Sequence, residues 1–251
     1  MSIRKEGEEM STIEKIKSEN KPSLKDLFLS SYLISQRISP YMSSFYIKRN
    51  IIPNQITLHM IYSGIIGAIL FSLDNIYIKL IGAIFIHMWF ILDCSDGEVA
   101  RYTKTFSRYG KELDYMAHLI NHPLFGIAIC ISLIQLNRYN AYTVIGLVFC
   151  SNFLDYAVRN LTKLDLIYNL KSPNERNSNN KISWDKKRII LFFTSIFTLY
   201  PNLILFGVII YFIDYYMGTN ILYIYLIINI VITFLFVIKD MIKMTINFYK
   251  E

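Results

Sequence analysis

Six apolar stretches, each close to the roughly 20 residues that a helix needs to cross a bilayer, set the limits on what this chain can fold into. They cover residues 56–73, 76–92, 119–136, 141–158, 189–213 and 221–238. A backbone in hydrocarbon must satisfy its own hydrogen bonds, and runs of this length do so as helices. The pattern therefore predicts an all-α bundle of six membrane-spanning helices within residues 51–245. Composition agrees, because 53% hydrophobic and 18% charged residues, with a mean hydropathy of +0.35, are outside the range of an ordinary soluble domain. Cys94, Cys130 and Cys150 lie in or beside apolar runs, and their odd number and spacing suit neither a disulfide framework nor a CxxC metal site.

The net charge of +7 raises the question of nucleic acid, and the placement of the charges answers it. Basic residues flank the apolar runs instead of forming one stripe beside a nucleic-acid motif, so no nucleic-acid partner is expected. Counted by loop, 24 of the 26 Lys and Arg fall on one side of the predicted bundle, with Lys79 and Arg138 alone on the other. By the positive-inside rule both termini face the cytoplasm. Residues 1–20 alternate Lys and Glu and read as a polar N-terminal tail, too charged for a cleavable signal peptide. Within residues 21–50, Leu24, Leu27, Phe28, Tyr32, Leu33 and Ile34 recur near helical spacing among Lys25, Arg37, Lys48 and Arg49. This predicts an amphipathic helix in the membrane interface, broken near Pro40. Residues 171–183 read as a polar loop and residues 246–251 as a C-terminal tail, while Pro201 is expected to kink the fifth span.

Charge reappears where two of the apolar runs approach each other. Asp93 and Asp96 end the second run three residues apart, on one helical face. After a basic stretch come Gly110, Asp114 and His118, spaced four apart and again on one face. Such groups in a spanning segment mark function, and a helix can hold them in a water-filled cavity. The second helix is thus expected to continue to Arg101 and the third to begin near Ser107. Three carboxylates and an imidazole gathered there would suit Mg²⁺, or Mn²⁺ in its place, shared with substrate phosphates. The chemistry indicated is metal-assisted phosphoryl transfer. Arg101 grips phosphate without losing its charge, and Gly97 and Ala100 allow a close backbone approach. His122, one turn beyond His118, either packs in the bundle or assists it. Asp155 and Arg159 form either an i,i+4 ion pair or, through Arg159, a site for an anionic acceptor.

The stretch Asp93–His118, DCSDGEVARYTKTFSRYGKELDYMAH, resembles the signature of the CDP-alcohol phosphotransferases (CDP-alcohol phosphatidyltransferases). That signature is D-x-x-D-G-x-x-A-R, eight residues, then G-x-x-x-D-x-x-x-D. Asp93, Asp96, Gly97, Ala100, Arg101, Gly110 and Asp114 match it in type and spacing, and His118 stands where the family has its last aspartate. Pro53-Asn54-Gln55-Ile56-Thr57 is similar to the P-N-x-x-T that often opens the family's first span.

The resemblance implies a metal held by Asp93, Asp96, Asp114 and His118. It also implies a nucleotide site formed by Asn54, Thr57, Asp93, Gly97, Ala100, Arg101 and Gly110. The family's last aspartate helps hold a second metal and is the usual candidate for the general base. A histidine keeps the base role open, since its ordinary pKa of about 6.5 suits proton transfer near neutrality, but imidazole is a poorer ligand for hard cations. One metal with His118 as base, two metals with His118 as ligand, and a degraded site are the three readings. Asp114 shares the catalytic role with His118, and Arg159 is the candidate acceptor-binding residue.

The function so implied is transfer of a substituted phosphate group from a CDP-linked donor to an alcohol acceptor, with release of CMP. The donor would be CDP-diacylglycerol or a CDP-linked polyol or head group, and the pathway phospholipid or glycan synthesis. Membrane lipid surrounds such an enzyme, and a homodimer is compatible with it. The rival readings are an inactive family member and a transporter using the carboxylates as an ion site.

Overall fold

The computed structural model describes residues 12–20, 29–169, 186–198 and 200–248, and among them every regular element is helical. The expected loop at 171–183, the start of the amphipathic segment (21–28) and the outer ends of both tails lie outside the described residues. Helix α1 covers residues 12–19. A π-helical turn, Ser31–Ser35, leads into α2, Gln36–Lys48. Then come α3, Pro53–Ser72; α4, Ile76–Thr103; α5, Gly110–Gln135; α6, Ala141–Asn169; α7, Lys186–Thr198; α8, Tyr200–Met217; and α9, Ile221–Phe248.

Local chemistry sets most of the boundaries. Pro53 occupies the first position of α3, where its missing N–H is not needed, and Gln55 Oε1 accepts from Ile52 N at 3.3 Å. Asn75 caps α4, its Oδ1 accepting from the backbone N–H groups of Tyr77 and Ile78 at 2.9 and 3.2 Å. Asn140 caps α6 in the same way. Helix α4 stops at Lys104, which takes a left-handed φ of 57°. It therefore continues well beyond Leu92, as the two carboxylates required, and α5 begins three residues after Ser107, at Gly110.

Among the described residues, five helices are long and apolar enough to cross a membrane: α3, α4, α5, the part of α6 from Ala141 to Leu161 and the part of α9 from Ile221 to Ile246. Of the six expected spans, five are met by such helices, and the fifth run is described as two shorter helices with residue 199 outside the described residues. Residues 189–213 divide between α7 and α8, with Pro201 in the first turn of α8. A proline in a first turn satisfies its own constraints. Pro40 behaves oppositely, lying inside an unbroken α2.

Helices α3 and α4 approach most closely. A Cβ on Gly82 would collide with the Phe71 backbone nitrogen and the Gly67 carbonyl, and one on Gly67 with Ile86. Small residues at this crossing bring the backbones together, as in other membrane bundles. Trp89, Ile86, Phe125, Ile129 and Leu133 fill the centre and are essentially inaccessible. Leu58, Tyr62, Ile66 and Ile69 on α3, and Ile224, Ile227, Val231 and Phe234 on α9, point outward as lipid-facing residues must. Helix α2 lies along α4, with Ser39 Oγ and Ser43 Oγ each donating to the buried Glu98 carboxylate at 2.6 Å. At the far end of the bundle, Lys79 Nζ donates to Phe71 O, Ser132 Oγ and Gln135 Oε1 at 2.7–2.8 Å. Arg138 Nη1 there donates to the Asp214 and Thr219 carbonyls.

Candidate active site

The last three turns of α4, the first three of α5 and the start of α3 meet at one end of the bundle. Asp93, Asp114 and His118 each present one ligand atom, and the three atoms lie within 4.8 Å of one another. His118 Nε2 is 3.1 Å from Asp93 Oδ1 and 3.5 Å from Asp114 Oδ1. Beneath them the Trp89 ring meets His118 edge to face at 4.9 Å and His122 at 5.5 Å, fixing the rings against an apolar floor. The triad is partly open, with side-chain exposure of 31% for Asp93, 44% for Asp114 and 17% for His118. A ligand can therefore reach it.

Asp96 is close in sequence but is turned toward α3. Its Oδ2 accepts from Thr57 Oγ1 at 2.8 Å, so it stands outside the converging triad. That bond joins the P-N-x-x-T segment to the D-x-x-D segment. Asn54 Nδ2 donates to Ser107 Oγ at 3.0 Å. A Cβ added to Gly110 would lie 3.6 Å from Asn54 Oδ1, which places Asn54 beside the first turn of α5. The Arg101 guanidinium folds over Gly97, 3.0 Å from where a Cβ there would sit. Arg101 Nε also donates to Asn20 Oδ1 at 2.7 Å. Ala100 is half-buried on the same stretch of α4. All the residues expected in the nucleotide site thus gather at the pocket end.

The chain of contacts behind His118 exceeds what the sequence indicated. His118 Nδ1 is 3.0 Å from His122 Nε2. His122 Nδ1 is 3.2 Å from Asp155 Oδ2 and 2.7 Å from Arg159 Nη2. Arg159 Nε donates to Asp155 Oδ2 at 2.9 Å, which is the i,i+4 ion pair. Two i,i+4 pairs, one on α5 and one on α6, are therefore joined across the helix interface. Spacing alone shows each pair, but only packing joins them. His118, His122, Asp155 and Arg159 line one side of a narrow cleft between α5 and α6.

The donor atoms suit a divalent cation. An octahedral Mg²⁺ with ligands at about 2.1 Å needs neighbouring donors about 3 Å apart, close to the two His118 distances. Two hard carboxylate oxygens and one imidazole nitrogen would supply half of the six donors that an octahedral divalent cation takes. Compared with known sequences, the chain matches the profile of the CDP-alcohol phosphatidyltransferase family over residues 50–235. No curated protein gives a significant match to it.

Proposed function

The chain belongs to the CDP-alcohol phosphatidyltransferase family, transferases of substituted phosphate groups that use a divalent metal, and on that premise we propose the reaction that its pocket serves. A CDP-linked donor binds at the pocket end, an alcohol acceptor attacks the phosphorus next to the alcohol portion, and CMP leaves. The convergence of Asp93, Asp114 and His118 is the single observation that carries the reading. Phospholipid or glycan synthesis is the setting, with CDP-diacylglycerol or a CDP-linked polyol or head group as donor.

Asp93 and Asp114, with Asp96 from the next turn of α4, would hold the cation. When bound, it would supply positive charge to offset the negative charge that develops on the diphosphate. Asn54, Thr57, Gly97, Ala100, Arg101 and Gly110 form the nucleotide side. Thr57 fixes the Asp96 carboxylate, and Arg101 supplies a charge for phosphate. His118 Nε2 faces the reacting groups, where it takes the acceptor hydroxyl proton. The short Nε2 distances to both carboxylates favour a second reading, in which His118 is itself a ligand. Arg159, beside the cleft, offers its guanidinium to an anionic acceptor.

The family is one of multi-pass membrane proteins, and five apolar helices fit that. For the orientation we propose cytoplasmic termini and a cytoplasmic pocket, with α7 and α8 together making the sixth crossing. Helix α8 ends beside Arg138 at the far end, and α9 returns from there.

Purified protein incubated with CDP-linked donors and candidate alcohols should release CMP. EDTA should stop release, and Mg²⁺ or Mn²⁺ should restore it. Ion transport without CMP release from any donor would favour the transporter reading instead.

A further inference from the structure

Arg101 is held by a residue that lies outside the family match, which begins at residue 50. Its Nε donates to Asn20 Oδ1 at 2.7 Å, across 81 positions of sequence. Asn20 directly follows α1, and its own amide is oriented. The Asn20 backbone nitrogen and Nδ2 both donate to the Ile16 carbonyl, at 2.9 and 3.0 Å. An amide whose NH₂ is committed turns its oxygen the other way, and that oxygen meets the guanidinium. Helix α1 is braced in turn. Ile16 is fully buried, Lys17 Nζ donates to Tyr41 Oη of α2 at 2.8 Å, and Lys15 Nζ lies 5.0 Å from the centre of the Tyr102 ring of α4.

The consequence falls on the other edge of Arg101. A guanidinium offers five N–H groups in a planar fork. With Nε committed to Asn20, Nη1 and Nη2 lie back along α4 over Gly97, 3.0 and 3.6 Å from where a Cβ there would sit. Gly97 adjoins Asp96 and is one turn nearer the carboxylates than Arg101. Among the described residues, neither Nη donates to a protein group. A long arginine stem has many rotamers, and fixing it at Nε presents the two terminal nitrogens in one direction.

We propose that Asn20 is a positioning residue for nucleotide binding, holding Arg101 by Nε so that its Nη1 and Nη2 edge faces the diphosphate of a CDP-linked ligand. The inference rests on the nucleotide site given under Proposed function. Asn20 acts only through Arg101. A neutral amide suits the task, because it fixes the guanidinium without cancelling its charge. A carboxylate in its place would pair with Arg101 and set a negative charge beside the phosphates.

The test uses the full chain in lipid nanodiscs with Mg²⁺, and CDP as the probe, its affinity measured by isothermal titration calorimetry. Arg101→Ala should weaken CDP binding about tenfold or more, as the loss of a charged hydrogen-bond donor does. Asn20→Ala should weaken it about fivefold, the cost of one exposed hydrogen bond, with the thermal midpoint unchanged. In the Arg101→Ala background, Asn20→Ala should have no further effect, since the group it positions is gone. A merely structural Asn20 would instead cause equal losses in both backgrounds. That result, or parental CDP affinity in Asn20→Ala, would overturn the proposal and leave the nucleotide site intact. Tighter binding in Asn20→Ala would overturn it as well, by showing that the bond withholds Arg101. Failure of the unmodified protein to bind CDP, or parental affinity in Arg101→Ala, would bring down the nucleotide assignment too.

Discussion

Asp96 and Glu98 are two positions apart on α4, about 200° around the helix, and they serve different elements. Asp96 faces α3 and Thr57, while Glu98 faces α2 and receives two serine hydroxyls at 2.6 Å. Glu98 therefore pins the amphipathic helix to the bundle, and its place inside the D-G-E-V-A-R string does not make it part of the pocket. Glu98→Gln turns one acceptor oxygen into a donor that meets a serine. A hydrogen bond to a charged group contributes about 1.5–3 kcal/mol, so the variant should lose roughly that stability. A lower thermal midpoint with unchanged Mn²⁺ affinity is the expected pair of results. Asp93→Asn and Asp114→Asn should each nearly abolish CMP release, and the double variant should be little worse, because ligands of one ion act as a unit. Near-parental activity in Asp114→Asn would show that the pocket is wrongly assigned. Spacing made Asp93, Asp114 and His118 legible in the sequence, since three- and four-residue intervals define a face. The partners of Glu98, and the meeting of His122 with Asp155, were not legible, because contacts between helices depend on rotations that no single segment specifies.

Among the elements, the α3–α4 crossing places the chemistry. Thr57 reaches Asp96 across a crossing whose backbones come close at Gly67 and Gly82, ten residues along α3 and fourteen along α4. Gly82→Val would put a branched side chain against the Phe71 backbone and the Gly67 carbonyl, atoms that cannot move independently of their helix. The helices would have to separate. We expect a poorly folded or aggregating protein by size-exclusion chromatography, whereas Gly146→Ala on α6, with nothing near its Cβ position, should behave as the parent. The helices themselves were largely legible, since apolar length indicates a span whatever its neighbours. At the fifth run the sequence offered only a kink at Pro201, and residue 199, between α7 and α8, lies outside the described residues. Hydropathy measures the length of an apolar run and not its continuity, and it cannot say whether the chain passes a proline by bending or by starting a new helix.

For the whole molecule, the sidedness of charge is the argument for the proposed orientation, and the two exceptions have their own roles. Lys79 and Arg138, the basic residues on the sparse side, are bound to carbonyls, a hydroxyl and an amide at the far end of the bundle. They serve packing there, so they do not weaken the bias of the remaining 24. The orientation decides whether the pocket meets nucleotide-linked donors, which are cytoplasmic compounds, and cysteine labelling can test it. Thr105 lies in the exposed turn between α4 and α5 beside the pocket, and Asn140 in the exposed turn before α6 at the far end. On a background with Cys94, Cys130 and Cys150 replaced, Asn140→Cys should react with a membrane-impermeant maleimide in intact cells. Thr105→Cys should react only after permeabilisation. Labelling of both from outside would mean a mixed or partly inserted population. The reverse pattern would put Asp93, Asp114 and His118 outside the cell, away from any cytosolic CDP-linked donor, and the proposed reaction would fall with the orientation.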